Sequence, residues 1–352
     1  MKTKILFLLL VAAGIGIYFL FPKIQLFWQQ TETTINGEEK AFFVKSGTTL
    51  EELERQLKEA GIIKENSAFR KMAAYKELND DNIGAGKYLI ERKHKVSHLI
   101  NGFKLNVLGN GNGEVEVQVT FNNCRDLQEM AGRVAKFIEA DSLSLVTFLE
   151  SKETMSRFGF NDQTFAAMFI PNTYNMFWDT DPEKFVERMA DEFKRFWTPE
   201  RLEKARKLNL SQSKVVTLAS IVYAEQSLVK DEWPIIAGLY FNRLKKGMKL
   251  QSDPTFKFCW GRDLDNNQRL YGKHREIDCP YNTYLYHGLP PGPINIPPAS
   301  CVDAVLNYTK HDYIFMCAQA NNSRRHHFTS SYELHQKNAE AFRRWMDERG
   351  IR

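Results

Sequence analysis

No two cysteines stand at C-x-x-C spacing, no run of lysines and arginines gathers in one place, and no glycine-rich loop opens a helix. Each absence closes off a class of function. The five cysteines are Cys124, Cys259, Cys279, Cys301 and Cys317, and none forms a metal-ligand pattern with a neighbour. His326, His327 and His335 raise the question of zinc, but their spacing fits no zinc motif, and no metal is expected. Net charge is +5, with both signs spread along the chain. The clustered basic face of a nucleic-acid-binding protein is therefore missing, and no such partner is expected. Gly109, Gly111 and Gly113 alternate with asparagines, yet a strand pattern follows them, which excludes a dinucleotide loop. No lysine stands in a context suited to a Schiff base with pyridoxal phosphate, so no cofactor is expected.

What the chain has is an ordinary globular balance, 43% hydrophobic and 26% charged over 352 residues. That length suits an anchor plus about two domains. Lys2 and Lys4 precede an apolar run from Ile5 to Phe21, roughly 17 residues, at the short end of a membrane-spanning helix. A cleaved signal peptide begins in the same way, but no small-x-small site follows; Ile24, Leu26, Phe27 and Trp28 are bulky. The lysines lie before the run and Glu32, Glu38 and Glu39 after it, so the positive-inside rule puts the bulk of the chain outside the cytoplasm. The expectation is one transmembrane helix within residues 1–23, a linker over 24–39, a small module over 40–108 and a larger domain over 114–350.

The small module reads as strand, helix, helix, strand. Ala41–Lys45 offers a strand, and Thr48 or Thr49 caps a helix carrying Leu50, Leu53, Leu57 and Ala60 at helical spacing, with Gly61 as the stop. A second helix covers Ser67–Lys76, and Lys87–Glu91 returns as a strand, making an α+β unit. In the larger domain Val115, Val117, Val119 and Phe121 alternate with polar residues, which predicts a strand buried on one face. Asp181 and Pro182 cap and start a helix with Phe185, Met189, Phe193 and Trp197 inward. A further helix runs from about Ser213 to Gln226, then one ending near Gly247, then loops rich in Pro, Asn and Tyr. A strand at Tyr313–Cys317 and a helix from Ser331 to Arg349 close the chain.

The helix over Ser213–Gln226 carries the residue of interest. Val215, Leu218 and Val222 define its apolar stripe, and Glu225 lies three residues after Val222, on or beside it. A carboxyl against apolar neighbours loses hydration, which raises its pKa, and one still protonated near neutral pH can donate to a glycosidic oxygen. Periodicity alone favours a plainer reading, a helix-end glutamate that reaches solvent or pairs with a cation. The strings that follow favour the first reading. Polar side chains set between tyrosines, on loops stiffened by proline, suit a sugar-binding groove, and by themselves they serve equally as structural turns.

Those strings are Leu218-Ala-Ser-Ile-Val-x-x-Glu225, Phe241-Asn-Arg-Leu, Gly247-Met-x-Leu-Gln-Ser-Asp-Pro-Thr255, Tyr281-Asn-Thr-Tyr284 and Gly288-Leu-Pro-Pro-Gly-Pro-Ile294. With Ile170-Pro-Asn-Thr-Tyr174 before them and His327-Phe328 and His335 after, they resemble the endolytic murein transglycosylases, the MltG or YceG-like family. The resemblance spans about residues 165–340, and the N-terminal module looks like the LysM-like domain that accompanies the family. It implies an α+β architecture and a peptidoglycan lytic transglycosylase, a lyase that cuts nascent glycan strands between N-acetylmuramic acid and N-acetylglucosamine and leaves 1,6-anhydro ends. It implies Glu225 as the catalytic acid and base. The family often carries another acid three positions earlier, where this chain has Val222. Substrate-binding candidates are Gln251, Asp253, Thr255, Tyr281, Asn282, Thr283, Tyr284, Asn172, Tyr174 and His327, with Asp253 also a rival acid. The partners implied are glycan strands, the membrane through one helix, and the glycan-polymerising synthases. The implied place is the cell (inner) membrane, single-pass, with the catalytic domain on the extracytoplasmic, periplasmic side. Cys259 and Cys279 bracket a polar segment where the family varies in length, and either a disulfide or two buried thiols suits them.

Overall fold

The computed structural model describes residues 20–21, 32–264 and 272–350. All but the end of the expected transmembrane run lies outside them. Among the described residues no helix is long and apolar enough to cross a membrane. The described residues form two compact units: one holds those up to Val119 with Phe137–Glu139 and Asn175–Thr180, the other holds Thr120–Lys136, Ala140–Tyr174 and those from Asp181 onward.

In the first unit β1 (Glu39–Val44) and β2 (Gly86–Glu91) pair antiparallel, Val44 opposite Gly86 and Glu39 opposite Glu91. Between them lie α1 (Leu50–Glu59) and α2 (Phe69–Tyr75), and α3 (Val96–Phe103) follows. Thr49 caps α1 by accepting from the Glu52 N–H at 3.2 Å. Leu53 and Leu57, one turn apart, are fully buried with Phe69, Met72, Ile90 and Phe103. Each such side chain contributes roughly 1.5–3 kcal/mol of transfer free energy. The Gly109–Gly113 loop packs within this unit, the Gly113 N–H donating to Gly102 O at 2.8 Å. A Cβ at Gly111 would fall 1.8 Å from the Tyr88 hydroxyl oxygen, so no larger residue fits there. Residues at the end of the expected linker are tied in as well: the Thr33 N–H donates to His94 O at 2.9 Å, and Ile35 is buried.

Next, β3 (Val117–Phe121) pairs with β4 (Asn172–Met176). Val119 and Phe121 are buried and Gln118 is exposed, the alternation the sequence predicts. The second unit is mainly helical. It contains α4 (Leu127–Val134), α5 (Ser142–Leu149), α6 (Lys152–Arg157), α7 (Pro182–Phe196), α8 (Pro199–Lys207), α9 (Gln212–Glu225), α10 (Trp233–Lys245), α11 (Asp253–Trp260) and α12 (Ala299–Leu306). A hairpin of β5 (Phe315–Ala318) and β6 (His326–Thr329) and then α13 (Tyr332–Asp347) complete it.

Helix α9 is the centre of this unit, and it departs from the expected one-sided stripe. Every residue from Val215 to Val222 is buried, because α8, α10, α11 and α12 all pack on it. The Pro-rich string from Gly288 locks onto its polar positions: the Ile294 N–H donates to Ser220 Oγ at 3.0 Å and Asn295 Nδ2 to Ser220 O at 2.8 Å. A Cβ at Gly292 would meet Gln163 O at 1.8 Å, so this close approach requires glycine. A second departure is α11. Asp253-Pro254-Thr255, expected as a turn among loops, opens a helix, with proline in the first helical turn where its missing N–H is harmless.

Cys259 on α11 is bonded to Cys279 across a separation of 20 residues, while Cys124, Cys301 and Cys317 are free thiols. Closing a loop of that length contributes about 2–4 kcal/mol by restricting the unfolded chain. Replacing both cysteines by serine is therefore expected to lower unfolding free energy by about that amount in a denaturant titration. A thiol titration of the unfolded, unreduced protein is expected to count the three free cysteines, and all five after reduction.

Candidate active site

The end of α9 opens into a cleft of about 760 Å³ in the second unit. Glu225, the last residue of the helix, stands on its wall with Tyr240 and Arg243 from α10, Gln251 and Asp253 at the start of α11, and Arg275 and Tyr284 from the loops. β5, β6 and α13 line it as well, through Met316, Cys317, His326, His335 and Phe342 among others.

Two hydroxyls grip Glu225, both on the same oxygen. Tyr240 donates to Oε1 at 2.7 Å and Ser252 Oγ donates to Oε1 at 2.5 Å. Oε2 is left without a hydrogen-bond partner among the described residues. Burial pushes the Glu225 carboxyl above the usual carboxylate range, with Asp253 adding to the rise, while the two hydroxyls and His326 pull the other way. Burial prevails. Ser252 occupies the N-cap position of α11 yet makes no capping bond with its side chain, since its hydroxyl is committed to Glu225.

Ser252 is itself held from behind. Its N–H donates to Thr283 Oγ1 at 3.0 Å, Thr255 Oγ1 donates to Ser252 O at 2.6 Å, and the two threonine hydroxyls are 2.8 Å apart. Thr255 and Thr283 are buried and off the cleft surface, so among the binding candidates they act as braces. Asn282, also buried, ties the loop below, donating through Nδ2 to Arg275 O at 2.9 Å and Ile277 O at 2.8 Å. Tyr281 packs its ring on Phe258 outside the cleft lining. Tyr174 is buried with its hydroxyl on Ile170 O, and Asn172 is exposed on β4; neither lines the cleft.

Three of the ten candidates do line it: Gln251, Asp253 and Tyr284. Asp253 Oδ1 accepts from the Tyr284 hydroxyl at 2.5 Å and pairs with Arg275 at 3.3 Å, and the Arg275 guanidinium lies 4.8 Å over the Tyr284 ring. Gln251 holds a left-handed backbone at φ 50°, its N–H donating to Thr283 O at 3.1 Å. On β6 the pleat turns His327 outward and brings His326 to the cleft, one residue from the candidate, because neighbouring side chains on a strand point to opposite faces. His335 lines the cleft stacked on Phe315, and burial together with Arg243 holds its imidazole below the ordinary histidine range.

Tyr240, Ser252 and Arg243 stand at Glu225 or its cleft but are not among the candidates read from the sequence. Ser252 and Arg243 sit inside the quoted strings, and Tyr240 directly precedes one. A signal existed for the serine: a hydroxyl between two polar candidates. Arg243 is buried, and burial draws its guanidinium below the ordinary arginine range. Its Nε donates to Ile314 O at 2.7 Å and its Nη1 to Leu250 O at 2.9 Å.

Since both hydroxyls favour the charged form of Glu225, Ser252→Ala or Tyr240→Phe is expected to raise its pKa further. The basic limb of a pH–rate profile then moves to higher pH. Activity at the optimum is expected to fall by about tenfold, as one charge-assisted hydrogen bond is lost.

The model of the YceG-like family matches residues 42–341. The chain belongs to the YceG-like family. This YceG-like chain is 28% identical over 345 residues to a Bacillus subtilis (strain 168) protein named endolytic murein transglycosylase, covering 93% of this chain and 91% of that one. A Streptococcus pneumoniae (serotype 2, strain D39) protein of the same name is 24% identical over 84% of this chain, which spans 57% of that longer protein. The crystal structure of a yceG-like protein from Listeria monocytogenes matches in fold with TM-score 0.56 and 22% identity, over 85% of this chain and 98% of that chain. The α+β architecture is that of the family.

Proposed function

We propose that this chain is an endolytic lytic transglycosylase of peptidoglycan, cutting glycan strands between N-acetylmuramic acid and N-acetylglucosamine with Glu225 as its acid and base. The observation that carries the reading is the setting of Glu225: a shielded carboxyl at the cleft whose pKa burial raises, with one oxygen accepting from two hydroxyls. The names of the relatives, endolytic murein transglycosylase, give the substrate class.

Glu225 donates its proton to the glycosidic oxygen as the bond from that oxygen to the anomeric carbon breaks. The C6 hydroxyl of the same muramic acid then forms the new bond to the anomeric carbon, and its proton passes to the Glu225 carboxylate. Because the nucleophile belongs to the substrate, one carboxyl suffices where a hydrolase of the usual kind needs two, and the intramolecular attack gains from proximity. Gln251, Asp253 and Tyr284 contact the strand.

The LysM-like reading of the first unit makes it a glycan-binding module, and the apolar run Ile5–Phe21 makes the chain single-pass in the cell membrane with this cleft outside the cytoplasm. There it would end growing strands beside the synthases. A second reading rests on Asp253, a further carboxylate on the same cleft, which would allow water to replace the C6 hydroxyl. Digestion of nascent strands or sacculi with the purified protein separates the two by product mass. Products lighter by one water than reducing-end fragments are expected; reducing ends would overturn the transglycosylase reading in favour of hydrolysis, and intact strands would overturn both.

A further inference from the structure

The cleft that holds Glu225 also holds an imidazole whose orientation is fixed by another buried carboxylate. His326 lines it from β6. Its Nδ1 lies 2.8 Å from Glu232 Oε2, and its backbone N–H donates to Glu232 Oε1 at 2.9 Å. Glu232, just before α10, is 2% exposed and also accepts from Gln226 Nε2 at 3.1 Å. Gln226 directly follows Glu225, and its side-chain oxygen accepts from the N–H groups of Leu228 and Val229. The whole knot is thus tied to the end of the helix that carries the acid.

A carboxylate can only accept, so the proton on the His326–Glu232 contact belongs to Nδ1. A ring carrying only that proton presents its lone pair on Nε2. This is the way a buried aspartate sets the tautomer of a histidine in a serine-protease triad. A need for cohesion alone does not account for it. The backbone N–H already joins β6 to Glu232, and apolar residues in place of a buried charged pair commonly stabilise as well or better. His327, next along the strand, is exposed and has no carboxylate partner among the described residues.

We infer that His326, oriented by Glu232, is a substrate-contacting residue of this cleft, its Nε2 accepting a hydrogen bond from a hydroxyl of the bound amino-sugar strand. Glu232 is its positioning residue. The inference rests on the glycan reading given above, and it adds a second anchoring point to that site. Fixing a sugar hydroxyl at a second point of the same cleft orients the ring at Glu225. A polar site of this kind discriminates strongly against a ligand lacking the matching group.

The test uses the detergent-solubilised full chain in the Glu225→Gln form, which leaves the strand uncut, labelled with ¹⁵N-histidine. The probe is an oligosaccharide of alternating N-acetylglucosamine and N-acetylmuramic acid. The free protein is expected to show His326 as the Nδ1–H tautomer, and saturation with the oligosaccharide is expected to move its Nε2 resonance. In otherwise unaltered protein, His326→Phe is expected to lower kcat/KM about hundredfold, with His326→Gln recovering part of it. Glu232→Gln is expected to cost about tenfold and to mix the tautomers. An Nε2 resonance that stays still at saturation, or a Glu232→Gln protein with unchanged tautomer and kcat/KM, overturns the role of His326 and leaves the glycan reading standing. No saccharide binding by Glu225→Gln together with no cleavage by the unaltered protein overturns both.

Discussion

Replacing Glu225 by glutamine is expected to lower glycan cleavage by about 10²–10⁴-fold, the range of a lost general acid, while oligosaccharide binding persists. Glutamine keeps the shape of the side chain and an oxygen to accept from Tyr240 and Ser252, so the wall of the cleft stays as it is. What disappears is the titrating proton. Rates measured on defined strands, beside binding measured by calorimetry, check both halves of the statement. Full cleavage by the glutamine protein would remove Glu225 from the chemistry.

The same substitution carries a signature in stability, and its sign follows from the direction of the pKa shift. Burial raises the folded-state pKa of Glu225 above its unfolded value. Below the unfolded value both states hold the proton, and Glu225 imposes no pH-dependent cost. As pH rises from there to the folded pKa, the unfolded chain releases its proton first. Native stability then falls by up to about 1.4 kcal/mol per pH unit. The glutamine protein lacks this loss, so its stability margin over the unaltered protein should widen as pH rises through that window. Denaturant titrations of the two proteins across mildly acidic to neutral pH read the effect directly. Parallel stability curves would mean that the carboxyl is no more shielded than in the unfolded chain.

The second large effect concerns Arg243, and it falls on the fold. Its guanidinium is buried and bonds the backbone oxygens of Ile314 and Leu250, with a longer bond to Gln251 Oε1 at 3.3 Å. Arg243→Ala removes two good charge-assisted bonds at about 1.5–3 kcal/mol each, for a total loss of about 3–6 kcal/mol. A melting temperature lower by about 8–15 °C is expected for a unit of this size. Arg243→Lys should recover little of it, since one ammonium cannot reach carbonyls on two loops at once in the way a planar fork does. A loss within about 1 kcal/mol would show those loops to be held by other bonds.

How much of this was readable in the chain alone depends on how local each signal is. Thr49, Asp181 and the alternation through Val119 and Phe121 act within a few residues, and the elements they predict are present. Helix α9 was legible as a helix but not as a core helix. Ser220 and Thr217 read as polar, and only the tertiary bonds to Ile294 and Asn295 make such positions tolerable inside. The helices over Ser142–Leu149, Pro199–Lys207 and Ala299–Leu306 went unmarked, although Asp141 and Thr198 stand at their starts as caps for the first two.

At the site the sequence strings located the neighbourhood but could not rank its members. Thr255, Asn282 and Thr283 look like sugar ligands because they are small and polar. Their partners are one another and the backbone, a fact of three-dimensional closure that no spacing reveals. His326 and His327 are indistinguishable in sequence until the register of β6 against β5 is fixed, with Cys317 opposite His327 and Ala318 opposite His326. Tyr240 is 15 residues from Glu225, and its reach depends on how α10 crosses α9.

The Cys259–Cys279 link sits beside the loop that Asn282 ties and that presents Arg275 to Asp253. Such links form and last in oxidising surroundings and are rare where thiols are kept reduced. Protein produced in a reducing cytosol would carry the helical frame with one rim of its cleft unfastened. Material for any rate comparison should therefore be matched in oxidation state first, or a slack rim will be mistaken for a weak enzyme.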